Sequence, residues 1–364
     1  MSDDSLRLDA NDWCSALAEI SDLVPIEQTA REFNAFARAR GVRSASDLLR
    51  LCLAYAIGNS VDGTSAWAKA SGVAEVSGPA LHRRLANAAS WLGFIARRLL
   101  EKTRPQISGA WSGWRLRLVD SSVICEPAAK GTTWRLHVSY DLSGGVDGLE
   151  LTDDQGAERL QRFDWQAGDL GIADRGFAHP GDLAPVLDTG AHLIVRLGWN
   201  ALRLLTPKGG LFDLFAALAK FKRNSASHPV LVATRDAARP FLPMRLIIGR
   251  LPPDKAKEAR KRVIAKALKT GKKVDPRSLK AAGFVFLLTS LPDKYAAQAI
   301  LGLYRLRWQI ELLFKRFKSL VGLGDLPAKN RAVARSWIFA KLIIALMAEK
   351  TARRLADSSP CAAT

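Results

Sequence analysis

The chain has 364 residues, 48% of them hydrophobic, and carries 54 Lys and Arg against 35 Asp and Glu, a formal net charge of +19. This length gives core enough for two or three domains, and the charge points to a polyanionic partner, with nucleic acid favoured over a membrane surface because no anchoring segment accompanies it. Four scattered cysteines, Cys14, Cys52, Cys125 and Cys361, and five histidines without ligand spacing argue against a disulfide framework and a zinc site.

The first residues, MSDDSLRLDANDW, are acidic and hold no apolar signal core, so cytoplasmic placement is expected. Residues 1–106 read as a helical domain, because the apolar spacing through TAREFNAFARA and ASDLLRLCLAYAIGNS suits amphipathic helices. Next, TSAWAKASGVAEVSGPALHRRLANAASWL reads as a helix, a turn at Ser71-Gly72 and a second helix begun near Ser77. This pattern is helix-turn-helix-like, with Ala80, His82, Arg83 and Arg84 on the element that would enter a major groove. A helical hairpin used only for packing is the alternative. With 13 basic and 12 acidic residues the segment is nearly neutral, so its DNA affinity rests on local placement.

Strands follow. In RLRLVDSSVI, Leu116, Leu118 and Asp120 share one face at period two, and the polar Ser121-Ser122 reads as the strand's end, with Asp120 at the rim of a sheet. WRLHVSYDL alternates Trp134, Leu136, Val138 and Tyr140, and the turn Ser143-Gly144-Gly145 leads into GLELTD, completing a three-stranded meander. A helical stretch is expected between Glu158 and Gln166, then a strand in GDLGIADRG, a short helix after Pro180 and a strand in AHLIVRLG. Short strand-like runs recur in PVLVATR and MRLIIGR. Residues 250–280 then carry 12 Lys and Arg against 3 Asp and Glu, either a solvated helix and loop or a track for a phosphate backbone. GFVFLLTSL returns to the core as a buried strand.

The segment YRLRWQIELLFKRFK follows. On one continuous α-helix, Tyr304, Arg307, Glu311 and Lys318 fall within an arc of roughly 60°. Leu306, Ile310, Leu313, Phe317 and Leu320 form a separate apolar stripe. Arg307 and Lys315 could instead flank Glu311 as simple surface ion pairs. The tail RAVARSWIFAKLIIALMAEKTARRLA has about 13 apolar residues in its core, short of the roughly 20 that cross a membrane. It is expected to pack on the catalytic domain or a second subunit, and no membrane partner is expected.

The spacing Tyr304-(2)-Arg307-(3)-Glu311-(6)-Lys318 resembles the signature of the insertion-sequence-four family of DDE transposases. Two upstream aspartates complete the likeness: Asp120, where the family's Asp-Ser/Gly-Thr reads Asp120-Ser121-Ser122, and Asp174 in Asp174-Arg175-Gly176-Phe177. The three acids lie 54 and then 137 positions apart, and the resemblance covers about residues 107–330. It implies an α/β fold: a ribonuclease-H-like catalytic core (107–201 and 284–330) interrupted by a β-rich insertion domain (202–283). An N-terminal all-α DNA-binding domain (1–106) precedes this core, and a C-terminal helix (331–364) follows it.

The resemblance also implies chemistry. Asp120, Asp174 and Glu311 would be the catalytic metal ligands, holding two Mg2+ ions with Mn2+ as a substitute, since hard cations take oxygen ligands and two of them can serve both ends of an in-line displacement. Tyr304, Arg307 and Lys318 would contact phosphates near the cleaved end, joined by Arg175, with Arg83 and Arg84 on the N-terminal domain. Trp199 is the candidate aromatic for a flipped base. The implied partner is double-stranded DNA, both transposon ends and target, bound by a homodimer at the nucleoid. A catalytically inactive DNA-binding relic or repressor and a ribonuclease-H-like nuclease without strand transfer are the other readings; the intact acids argue against decay.

Overall fold

The computed structural model describes residues 10–58, 60–100, 111–126, 131, 133–319, 321–324 and 326–357. Leu320, Cys361 and the first nine residues lie outside these, as does the boundary expected near residue 106.

Five helices come first: α1 (Ala10–Leu23), α2 (Ile26–Glu32), α3 (Ala45–Gly58), α4 (Val61–Ala70) and α5 (Gly78–Leu99). The expected helix over TAREFNAFARA ends early. Asn34 turns left-handed at φ 55°, and the amides of Ala35 and Phe36 both fold back onto the Ala30 carbonyl, satisfying the helix end within two residues. In α4, Ser60 caps the helix by accepting from the Gly63 amide, whereas Ser77 makes no side-chain cap on α5, which instead begins with Pro in its first turn.

Strands β1 (Arg115–Ile124), β2 (Trp134–Asp141) and β3 (Gly145–Asp153) form the expected meander. They are followed by β4 (Asp169–Ala173), α6 (Pro180–Asp188), β5 (His192–Leu197), β6 (Leu204–Leu205), α7 (Leu214–Ala219), β7 (Ser225–Ala233) and β8 (Phe241–Arg250). Helices α8 (Pro253–Lys269) and α9 (Pro276–Ala281), β9 (Phe284–Thr289), α10 (Ala297–Tyr304), α11 (Trp308–Ser319) and α12 (Arg331–Asp357) complete the chain. The nine strands among the described residues lie in one mixed sheet of order β3-β2-β1-β4-β5-β9-β8-β7-β6, with β1, β4 and β5 mutually parallel. The strands of residues 202–283 therefore extend this same sheet, joined through β9, which pairs antiparallel with β5 on one side and β8 on the other.

Period-two alternation gives the sheet two buried faces. Leu116, Leu118, Leu170, Ile172, Ile194 and Leu287 join the N-terminal helices, α10, α11 and α12 in one core. Val119, Ala173, Leu193, Val195, Phe286 and Leu288 join α6 and α7 in the other. Gly171 faces this second core, where a Cβ would sit 2.5 Å from Trp165 and 2.8 Å from Leu193, so only glycine lets the indole lie on the strand.

Two further expectations are corrected. Between Glu158 and Gln166 there is only a 3-10 turn, Leu160–Arg162, because Arg159 and Phe163 on either side are extended and Asp182 takes the Leu160 amide at 3.0 Å. The C-terminal helix α12 packs chiefly along α5 and α3, with Trp91 and Trp337 fully buried there, so the N- and C-terminal helices share one core. Gly93 on α5 is the close-approach point, its missing Cβ leaving room for the Phe339 ring 3.1 Å away.

Candidate active site

Register brings the first two acids together. The last parallel pair between β1 and β4 is Val119 with Ala173, so Asp120 and Asp174, one residue on in each strand, stand on neighbouring strands about 4.8 Å apart. Both share the parity of Leu118 and Ile172, and so face the side of the sheet covered by α11, which packs on β1. The expectation that β1 ends at Ser121 is incorrect. The strand runs to Ile124 because β2 keeps pairing with it, Asp120 opposite Val138 and Ile124 opposite Trp134. What ends at Asp120 is the partner on the other side, β4. Cys125 is exposed just beyond the end of β1.

Asp120 is tightly enclosed, with 17% of its side chain exposed. The Ser121 amide donates to its Oδ1 at 2.8 Å, and Arg307 donates to its Oδ2 at 3.4 Å. Burial pushes its carboxyl up to about 6; the Ser121 amide and Arg307 pull the other way, while Asp174 and Glu158 push it further up. Glu158 is held by the Ser121 hydroxyl at 2.6 Å and by Arg135 at 3.2 Å. It lies directly against Gly176, where a Cβ would come within 1.3 Å of Glu158 Oε2. The glycine after Asp174-Arg175 is thus what admits the Glu158 carboxylate beside the aspartates.

Asp174 accepts from the Tyr304 hydroxyl at 3.4 Å and faces Arg196 at 3.8 Å. Burial, and then the Asp174 charge, raise the Tyr304 pKa, so this phenol stays protonated as a donor. Glu311, in the first turn of α11, keeps 55% of its side chain exposed and pairs with Arg307. The Arg307 guanidinium therefore bridges Asp120 and Glu311. Burial works against its charge, but Tyr304, Glu311 and Asp174 outweigh that and raise its pKa, so it is cationic throughout.

The signature does not lie on one helix, as expected. Tyr304 ends α10, Arg305–Arg307 form a 3-10 turn, and Trp308 opens α11. The tighter turn breaks the 100° wheel, and Arg307 points inward to Asp120 with 14% of its side chain exposed. The apolar stripe does hold on α11, where Ile310, Leu313 and Phe317 are buried. Lys318 and Lys315 are exposed, Lys318 about 10 Å along the helix from Glu311. Arg175 is exposed next to Asp174.

Other candidates lie apart from the acids. Arg83 is exposed on α5, but Arg84 donates to the Arg38 and Arg40 carbonyls at 3.3 and 2.5 Å with its guanidinium 6.0 Å over Phe36, so it holds the loop before α3. Trp199 is packed away: its ring meets Phe215 at 5.5 Å, its indole donates to Ser278 at 3.1 Å and Arg277 covers one face at 4.9 Å. Two residues at the site went unnoticed in the sequence. Glu158 gave no signal, and Arg196 was visible only as a charge two residues from Ile194 in a largely apolar strand. A cavity of about 520 Å³ bordered by Arg115, Arg117 and Asp147 lies at the opposite rim, where these side chains pair with one another and with Asp169.

The Tyr304 phenol reaches Asp174 and the Arg307 guanidinium joins Asp120 to Glu311; among the described residues no group of three or more His, Cys, Asp or Glu side chains stands together as a metal site. A family model described as the transposase DDE domain matches residues 140–347, and the chain belongs to the DDE transposases, of the insertion-sequence-four type. It is 40% identical over 358 residues to InsL of insertion sequence element IS186A from Escherichia coli strain K12, and 40% identical over 359 residues to the transposase of IS421 from Escherichia coli, with 96% of each chain aligned in both cases. The transposase of IS231E from Bacillus thuringiensis subsp. finitimus is 24% identical over 271 residues, 65% of this chain and 56% of that one. The chain is thus an enzyme of DNA cleavage and transposition, a class that uses divalent metal ions. Among the described residues no helix is long and apolar enough to cross a membrane.

Proposed function

We propose that this transposase binds the terminal inverted repeats of its own insertion sequence, cleaves phosphodiester bonds at the ends and joins them to target DNA, with Asp120, Asp174 and Glu311 as its catalytic carboxylates. The observation that carries this reading is the register that sets Asp120 and Asp174 side by side beneath the helix bearing Glu311. The donors are all carboxylate oxygens, the ligand type of Mg2+, with Mn2+ as a substitute. Asp120 also fits a cation site electrostatically, since burial and the neighbouring Asp174 and Glu158 disfavour its charge and a divalent ion would relieve all three effects. Asp120, Asp174 and Glu311 would together hold a pair of such ions. Such a pair supplies activation of the attacking oxygen and stabilisation of the leaving one.

The remaining groups act on the substrate. The Arg307 fork, engaged with Asp120 and Glu311, has the planar geometry that grips a phosphate with two parallel hydrogen bonds and would hold the phosphate at the cleaved end. Tyr304 orients Asp174 and presents its ring at the same place, and Lys318 and Arg175 add point charges on either side. The order β3-β2-β1-β4-β5, antiparallel then parallel, supports a ribonuclease-H-like core (107–201 and 284–330), with 202–283 as its insertion. Residues 1–106 form the end-binding domain, in which Arg83 faces DNA and Arg84 supports the loop behind it. The end complex is a homodimer on double-stranded DNA at the nucleoid.

The test is a cleavage assay on a duplex carrying the element's own end, with Mg2+. Asp120→Asn, Asp174→Asn and Glu311→Gln should each abolish cutting and leave binding of the duplex near wild type. Wild-type cutting by any one of them removes that residue from the catalytic set.

A further inference from the structure

Strand polarity places the most basic part of the chain on the rim that carries the acids. Strand β5 is parallel to β4, so its end at Leu197 lies on the rim of Asp120 and Asp174. Strand β9 is antiparallel to β5 and starts there, β8 ends there with Arg250 opposite Phe284, and β7 starts there with Ser225 opposite Gly249. Helices α8 and α9 join β8 to β9, and Lys220, Lys222 and Arg223 lead into β7, so both excursions leave the sheet at the catalytic rim. From β4 to β8 is three strand spacings, about 14 Å. That is about four base-pair steps along a duplex laid across the rim.

Helix α8 is built to present charge. It packs through Ala256, which is buried, and through the half-buried Ala259, Val263 and Ala267. Arg260 lies beneath the chain at Gly283 and donates to the Leu279 carbonyl at 3.4 Å. At 100° per residue, Lys257, Lys261, Arg262 and Lys269 span an arc of roughly 140° on the opposite side, and all are exposed. Lys257, Lys261 and Lys269 have no carboxylate partner among the described residues. Ile264 and Leu268 share part of this face, 41% and 75% exposed, which makes a second copy of the chain the competing occupant. Charge decides between them: residues 250–280 hold 12 basic and 3 acidic residues, which repel their own copy and attract a polyphosphate backbone.

We infer that the outer face of α8, with Lys220, Lys222 and Arg223, is a sequence-independent track for the backbone of the duplex whose cleavage point lies at Asp120, Asp174 and Glu311. The inference rests on the cleavage reading above, and it assigns the duplex a path across the sheet rim towards β7. Its side chains are lysines and arginines without a planar array aimed at base edges, so it adds affinity and orientation and reads no sequence.

The full-length protein is titrated into a fluorescein-labelled 40-base-pair duplex of random sequence, and anisotropy is followed over a series of salt concentrations. In the triple variant Lys257→Gln, Lys261→Gln, Lys269→Gln, the slope of log affinity against log salt should fall by roughly 2 to 3, close to 0.9 for each phosphate no longer neutralised. Lys220→Gln, Lys222→Gln, Arg223→Gln should lower it in the same direction. Asp120→Asn should keep the wild-type slope, so loss of cutting and loss of the track are read separately: cutting by Asp120→Asn would overturn the catalytic assignment and leave the slope result standing. Melting temperatures check that each variant folds. An unchanged slope in the folded triple variant overturns the track, as does a change confined to self-association in sedimentation, which would assign the face to a second copy.

Discussion

Arg307 occupies the space between two proposed metal ligands, so its removal should move metal binding and catalysis in opposite directions. In the DNA-free protein a divalent ion must first displace the guanidinium from Asp120 Oδ2, 3.4 Å away, and from Glu311. Glu311 is 55% exposed, so that pair is screened and breaking it costs no more than about 1 kcal/mol. The Glu311 contact alone should therefore make Arg307→Gln tighten Mn2+ binding by up to about fivefold, since 1.4 kcal/mol corresponds to a factor of ten, and loss of the Asp120 contact adds in the same direction. The same variant should slow end cleavage by tenfold or more, because the phosphate loses its forked donor. Arg307→Lys keeps a charge but not the fork, and should recover only part of the cleavage rate. Mn2+ affinity is read by calorimetry on the DNA-free protein, cleavage on the end duplex, and folding by thermal melting. Normal cleavage would remove Arg307 from the phosphate; normal melting with metal binding unchanged or weakened would remove it from between the ligands.

The remaining predictions concern the supports of the site. Gly176→Ala would drive a methyl into Glu158 Oε2, pulling that carboxylate off Ser121 and Arg135, and should destabilise the protein by about 1–3 kcal/mol while slowing cleavage; Glu158→Ala in the same chain should restore most of the stability. If melting of the double variant is no better than that of Gly176→Ala, the clash is not the cause. His137 is fully buried, with its Nε2 3.0 Å from Thr152 Oγ1, and burial, then Arg162 and Arg135, hold its pKa down at about 3. Its folded pKa lies below the unfolded value of about 6.5, so the unfolded chain takes up the proton first and stability falls as pH drops from about 6.5 towards 3, by about 2 kcal/mol at pH 5. Denaturant unfolding at pH 7 and pH 5 should show His137→Gln losing less than wild type by about that amount, and equal losses would refute the assignment.

Local patterns carried much of the site. Asp120 was legible because Leu116 and Leu118 mark its face of β1 two residues at a time, and Asp174 because an apolar strand runs straight into Asp-Arg-Gly-Phe. What escaped depends on contacts that periodicity does not encode. The pairing of β5 with β9, which draws residues 202–283 onto the catalytic sheet, joins segments about 90 residues apart, such as Val195 with Leu288. The 3-10 turn at Arg305–Arg307 sits between two strongly helical patterns, and nothing in its residue types forbids a continuous helix. Glu158 looked like an ordinary surface acid before a helix; its place follows from Gly176, more than a dozen positions later, having no side chain.

The same geometry explains how a strongly basic chain keeps a cluster of acids at its working edge. Asp174 and Glu158 lie close enough to Asp120 to disfavour its charge, while Arg307, Arg196 and Arg135 each reach one of the carboxylates. These cations balance the cluster in the absence of metal, which a centre formed only by carboxylates would do by taking up protons. Arg135 differs from the other two in being tied to Glu158, on β2, away from the strands that carry the aspartates. Arg307 and Arg196 face the aspartates themselves, so metal ions held by those acids would release two guanidinium groups able to take a phosphate. Under the proposed function, metal and phosphate binding would be coupled by charge at these residues, each favouring the other because both compete for the same carboxylate-guanidinium pairs.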